Sequence, residues 1–168
     1  MKKEFIEVGT IVNAHGVRGE VKLNPDGFDP AFLADFDRLF IAGKETKVKA
    51  ARVHKSTVLL TLPGIEDMDA ALAMKGKRVS IARDDADLPA GEYFDAELEG
   101  CTAVDAANGA ELGKITRVLT YPAHKVYEVK GEKTYLIPAV PGIFIENVDV
   151  DAGIVRVKMM KGLALDED

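Results

Sequence analysis

Residues 8–23 read VGTIVNAHGVRGEVKL, and the work done by the three glycines in this stretch decides the fold. A dinucleotide-binding fingerprint needs glycines that open a helix directly after a strand. Here Gly9, Gly16 and Gly19 are followed by EVKL, in which Val21 and Leu23 alternate with charged residues as in a half-buried strand. The spacing is also wrong for a P-loop, and no serine, threonine or cysteine stands beside His15 as a nucleophile. The stretch therefore predicts two strands, Phe5–Asn13 and Glu20–Leu23, joined by a tight or bulged connection where Gly16 and Gly19 supply positive φ. His15, Arg18 and Glu20 then sit at a hairpin corner. They are a polar contact surface, plain turn residues, or an acid/base pair, and the last needs a pocket holding both side chains and a third group to orient the imidazole.

Working outward, DPAFLADF places Asp29 as a helix N-cap and Pro30 at the first helical position, with Phe32, Leu33 and Phe36 on one side. Arg38–Ala42 reads as a short strand ending at Gly43. Lys47–His54 and Thr57–Leu62 pair as a hairpin across Lys55-Ser56. DMDAALAMKG is one short helix capped by Asp67 and ended by Gly76, and Lys77–Ala82 is a closing strand. About six short strands with little helix suggest a small barrel rather than a βαβ sheet.

The stretch RDDADLPAG, residues 83–91, is polar, carries a proline and a glycine, and separates two segments of alternating apolar residues. The expected organisation is a first domain over 1–84, a linker over 85–91 and a second domain over 92–168. The second segment carries Asn108-Gly109, a strong hairpin pair, ahead of the strand Lys114–Thr120. Lys125–Val129 and Thr134–Ile137 flank KGEK, and Ile145–Val150 and Ile154–Lys158 flank DAG, so this half is almost wholly β.

The 168 residues carry a net charge of −6, unevenly spread. Residues 1–84 hold 14 Lys and Arg against 12 Asp and Glu, a charge of +2, while residues 85–168 hold 8 against 16, a charge of −8. The first body suits a polyanion locally and the second a basic protein, unless both are solvated surface of mixed sign. Lys44, Lys47, Lys49, Arg52, His54 and Lys55 form a basic stretch opposed only by Glu45. Alternation along one strand puts Lys47 and Lys49 on one face, either as a phosphate-contacting edge or as a charged edge that resists aggregation.

Cys101 is the single cysteine, which excludes an intrachain disulfide and fits a reducing, cytoplasmic setting. With three scattered histidines and no C-x-x-C or H-x-x-x-H pair, a zinc site is not expected, and DVDAG lacks the spaced ligands of a calcium loop. No apolar run is long enough to span a membrane, and MKKEFIEVG lacks the apolar core of a signal peptide. Tyr121 and His124 flank Pro122 in TYPAHK, a structured turn. On these features the chain is two small β-barrels without visible chemistry, a binding module more than an enzyme.

Taken in order, the same segments resemble the RimM family of ribosome maturation factors. VGTIVNAHGVRGEVKL is similar to the family's N-terminal run through Gly9, Ile11, His15, Gly16, Gly19 and Glu20. GIEDMDAALAMKGKRVSI is similar to the end of its first barrel, and EYFDAELEG to the start of its PRC-barrel domain. ELGKITRVL, LIPAV and NVDVDAGIVRV follow in the family's order. Three positions depart from the pattern. Phe94 stands where a second tyrosine is usual and loses its hydroxyl, Glu97 replaces an aspartate before Leu98, and Lys125 stands where an aspartate is common.

The resemblance implies an all-β chain with one or two short helices, built as two small β-barrels in tandem. The first would be a translation-factor-like barrel and the second a PRC-barrel. It further implies a non-catalytic assembly chaperone, without a cofactor, that binds the free small ribosomal subunit. Such a chaperone aids head assembly and small-subunit rRNA processing, with small-subunit ribosomal protein nineteen as its protein partner. A monomer is expected, since nothing in the sequence marks an obligate dimer surface. Under this reading His15, Arg18, Lys47, Lys49 and Arg52 contact rRNA, and Tyr93, Phe94, Glu97 and Leu98 serve the ribosomal protein. Tyr93 and Phe94 are adjacent, so in an extended segment one ring anchors to the barrel while its neighbour faces a partner, unless both are buried in the domain's own core. Two rival readings stand beside this one: an enzyme using His15 and Glu20, and a barrel that binds a small ligand in an apolar pocket.

Overall fold

The computed structural model describes residues 3–88 and 92–165. In chain order its strands are β1 (Phe5–His15), β2 (Glu20–Pro25), β3 (Arg38–Ile41), β4 (Lys44–Lys47), β5 (Ala50–His54), β6 (Thr57–Thr61) and β7 (Arg78–Ala82). After these come β8 (Thr102–Asp105), β9 (Glu111–Thr120), β10 (Lys125–Lys130), β11 (Thr134–Pro138), β12 (Ile145–Asp149) and β13 (Ile154–Val157). The helices are short: α1 (Pro30–Ala34), α2 (Met68–Leu72) and α3 (Asp95–Leu98). The chain divides into two compact units, Glu4–Asp87 and the remainder from Leu88. Of the expected linker, Asp85 closes a 3-10 turn over Arg83–Asp85, and residues 89–91 lie outside the described residues.

In the first unit the sheet order is β4-β3-β7-β1-β2-β6-β5. The long β1 serves two neighbours, β2 and β7, and carries a bulge against each, between Ile11 and Asn13 and between Glu7 and Gly9. A bulge adds a residue to one strand, bends it and increases its twist, which a sheet must do to curl. The two edge strands β4 and β5 are neighbours in sequence, joined only by residues 48 and 49. The Val48 amide donates to the Asp37 carbonyl at 2.9 Å and the Lys49 amide to the Thr61 carbonyl at 2.9 Å, so this link ties the β3 side to the β6 side. The result is a barrel whose interior is filled by Ile6, Val8, Ile11, Val21, Leu23, Leu39, Val58, Leu60, Val79 and Ile81, all at or near zero exposure. The two helices are capped as the sequence implies. Asp29 accepts from the Ala31 amide and Asp67 from the Ala70 amide.

The second unit is a six-stranded sheet ordered β11-β10-β9-β8-β13-β12, antiparallel except for the parallel pair β8 and β13. Its edges are covered by the chain itself. Residues 163–165 run along β11, with the Leu136 amide donating to Leu163 and the Leu165 amide to Thr134. A bridge from Pro141 to Ile145 lies on β12. Covering an edge in this way removes a template for unwanted strand pairing. The core is Leu98, Cys101, Ala103, Ile115, Tyr127, Val129, Ile137, Ile145, Val150, Val155 and Val157.

Five elements differ from the expectation. The basic stretch is not one strand from Lys47 to His54, because the barrel closes at 48–49 and the backbone there changes hydrogen-bonding partner. The strand expected over Arg38–Ala42 ends at Ile41 and turns at Ala42-Gly43, both with positive φ, into β4. The helix capped by Asp67 spans only Met68–Leu72, and α3 and β8 appear where no element was expected.

Candidate functional site

The hairpin corner is as the glycines imply. His15 pairs with Glu20 across the connection, and Gly16 and Gly19 take φ of 69° and 92°. The two glycines are not equivalent. A Cβ on Gly16 would meet nothing within 4 Å, whereas one on Gly19 would lie 2.8 Å from the Ile65 carbonyl carbon and 2.9 Å from the Asp67 amide nitrogen. Gly19 is therefore a packing position that seats the corner against the segment leading into α2.

Around this corner the fold gathers cations. Arg52 binds Glu20 through both guanidinium edges, Nε to Oε2 at 3.1 Å and Nη2 to Oε1 at 3.0 Å. The hydrogen bond from Arg52 holds the Glu20 carboxyl below its usual range, with Arg52, His15 and Arg18 adding their charge. A catalytic base poised near neutral pH needs the opposite shift, so Glu20 here is a clamp on Arg52 more than an acid/base partner for His15. The rings of His15 and His54 lie 5.0 Å apart. His54 is held below its ordinary pKa, first by partial loss of solvent and then by the charges of His15, Lys55, Lys22 and Arg52. Lys22 and Arg52 flank buried Leu59 in one row across β2, β6 and β5. The surface is thus Arg18, Lys22, Arg52 and Lys55 around two imidazoles, with one carboxylate already engaged. Of the residues expected to meet rRNA, the structure brings His15, Arg18 and Arg52 together. Lys22 was not singled out, and His54, named in the basic stretch, was not joined to His15, because β1, β2 and β5 become neighbours only in the barrel.

Lys47 and Lys49 do not join them on one strand face. Lys47 ends β4, where it pairs with Arg38, and Lys49 lies in the link that follows. Lys47 lines a groove of about 1010 Å³ together with Asp35, Asp37, Glu45, Asp85 and Asp87. Arg38 crosses this groove to Asp85 and Glu45. Phe32 and Phe36 complete its lining, and its carboxylates outnumber its cations, which does not suit a phosphate. Lys49 remains exposed.

In the second unit EYFDAELEG folds as an extended approach to α3. Tyr93 is half-buried against the core and its hydroxyl donates to the Val148 carbonyl at 3.4 Å. Phe94 is 6% exposed, Glu97 0% and Leu98 3%. The Glu97 Oε1 accepts from the Phe94 amide at 3.2 Å, and the Cys101 thiol donates to the Glu97 carbonyl. Phe94, Glu97 and Leu98 therefore form the inside of this segment. Their burial makes them supports. The side chains the segment offers to solvent are Glu92 and Glu99, with Asp95 partly exposed. Lys125, where the family commonly has an aspartate, pairs with Asp95 at 2.6 Å and so ties the start of β10 to α3. TYPAHK is the β9–β10 turn, closed by the Tyr121 amide on the His124 carbonyl. Among the described residues no cluster of His, Cys, Asp or Glu could hold a metal ion. Among the described residues no helix is long and apolar enough to cross a membrane.

Comparison with known proteins follows the same two units. The family model described as the RimM N-terminal domain matches residues 6–86, and that described as the RimM PRC barrel domain matches residues 95–163. The chain belongs to the RimM family. RimM relatives include the ribosome maturation factor RimM of Clostridium botulinum strain Hall, 35% identical over 95% of this chain and 96% of that protein. The RimM of Lactobacillus delbrueckii subsp. bulgaricus is 36% identical over 95% and 98%. The crystal structure of a 16S ribosomal RNA processing protein RimM from Pseudomonas aeruginosa is 28% identical. It covers 93% of this chain and 98% of that one, with a TM-score of 0.46. The RimM assignment agrees with a mainly β chain that carries a PRC barrel in its second half.

Proposed function

We propose that this chain is a ribosome maturation factor that works by holding, without bond-making chemistry of its own. The observation that carries the reading is the paired family match over both units, joined to a cationic corner on the first. The first unit contacts small-subunit rRNA through the His15, Arg18 and Arg52 corner, reading phosphates and shape. The second unit, in the half that carries −8, holds a basic ribosomal protein, for which the resemblance names small-subunit protein nineteen. A factor that binds an immature conformation more tightly than the mature one shifts the population by that difference in affinity. It is released when maturation removes the favoured surface.

The test is sedimentation of the whole chain with separated small subunits, large subunits and assembled ribosomes. Pelleting with free small subunits alone supports the reading. Equal pelleting with large subunits, or none with any particle, removes it.

A further inference from the structure

Two histidines that end different strands, β1 and β5, meet with their rings 5.0 Å apart inside a cluster of permanent cations. The charges acting on His54 are His15, Lys55, Lys22 and Arg52, every one a base. The carboxylate beside them, Glu20 at the start of β2, has both oxygens on Arg52. The other elements packed here add little that is free. Thr57 of β6 donates its hydroxyl to the His54 carbonyl, and Asp67, on the segment against Gly19, is engaged by the Ala70 amide with Glu66 beside it. On α1, which packs against β5 and β6, Asp29 accepts from the Ala31 amide and Asp35 stands at the opposite cap.

Four fixed positive charges beside one committed carboxylate leave a surplus on a chain of net charge −6. An anion answers that surplus, and the geometry suits a small one. An arginine carries five N–H donors and Glu20 uses two of those on Arg52, which fixes the fork while leaving donors free. Protonated imidazoles donate from both nitrogens, and charge-assisted hydrogen bonds to phosphate are among the stronger ones a surface makes. We propose that this corner is a subsite for one RNA backbone phosphate, and that the phosphate enters together with a proton taken from solvent onto the His15–His54 pair. Without the anion, a further positive charge among four others is disfavoured, and the depressed pKa of His54 agrees with that. With the anion against the pair, the same charge is neutralised where it forms. Binding is therefore linked to proton uptake.

This inference rests on the RNA-contact reading of the corner given above, and the experiment separates the two. Affinity of the whole chain for free small subunits is measured at pH 7.5 and pH 6.0 at constant ionic strength, for wild type, His54→Gln and His54→Lys. Wild type binds roughly threefold or more tightly at pH 6.0, with about tenfold per pH unit as the ceiling for one proton. His54→Gln loses most of that pH dependence. His54→Lys binds at pH 7.5 as wild type does at pH 6.0, a rescue by charge that a merely structural histidine would not give. Binding by wild type that is independent of pH, or an unchanged pH dependence in both variants, overturns the proton-linked subsite while leaving the RNA contact standing. Absence of binding at either pH overturns both.

Discussion

Gly19 and Gly16 differ in what surrounds them, and that difference makes the sharpest prediction at the scale of single residues. Gly16→Ala incurs only the left-handed backbone penalty, about 1 kcal/mol. Gly19→Ala adds a clash with the backbone of Ile65 and Asp67, which cannot step aside as a flexible side chain would, and is expected to cost about 3 kcal/mol or more. Urea unfolding of the two variants should separate them by that margin, and equal losses would mean that the corner is not seated on the α2 approach. The sequence marked both glycines but could not rank them, because the reason lies on a segment remote in the chain. Glu128 gives a pH prediction. Hydrogen bonds from Arg117 and Thr116 hold its carboxyl below the ordinary 4.5. The unfolded chain therefore takes up this proton first as pH falls, so the bridge stabilises the fold above about pH 4.5 and that contribution fades as pH drops through the lower folded value. Thermal melts from pH 7 to pH 3 should show a shallower acid decline in Glu128→Gln than in wild type.

At the scale of elements, α3 shows how far alternation can be read. Adjacent aromatic rings in an extended segment do part company here, with Phe94 buried and Tyr93 only half so. The four-residue helix that follows is too short to show a helical period, so the inward turn of Glu97 and Leu98 was not legible. Truncating both rings cannot leave this unit untouched. Phe94→Ala is expected to cost about 3–5 kcal/mol as a cavity. Glu97→Ala, which removes the carboxylate that accepts from the Phe94 amide, should cost about 2 kcal/mol, and Tyr93→Phe less than about 1 kcal/mol. Denaturation of the three full-length variants checks the order; a silent Phe94→Ala would return that ring to the surface. Another illegible element is β4, whose KETK is exposed at three of four positions and so carries no apolar alternation. β2, whose buried positions alternate, was readable for the converse reason, and β6 by its run of apolar residues.

At the scale of the whole molecule, the split in charge between the halves was visible in the sequence, but which cations act together was not. Lys47 and Lys49 looked like partners by spacing. Barrel closure instead puts Lys47 among carboxylates and assembles Arg18, Lys22, Arg52 and Lys55 from two strands and two turns. The account therefore depends on the corner being the electrostatic handle for the small subunit. The direct measurement is affinity for free small subunits as a function of salt for wild type, Lys22→Glu/Lys55→Glu and Lys47→Glu/Lys49→Glu. Each phosphate contact contributes about 0.7–0.9 to the slope of log affinity against log salt, since binding releases the counterions it replaces. The predicted result is weakened binding and a flattened slope, by about one to two, in Lys22→Glu/Lys55→Glu, with a smaller change in Lys47→Glu/Lys49→Glu. A wild-type slope in Lys22→Glu/Lys55→Glu, or the larger loss in Lys47→Glu/Lys49→Glu, would contradict it.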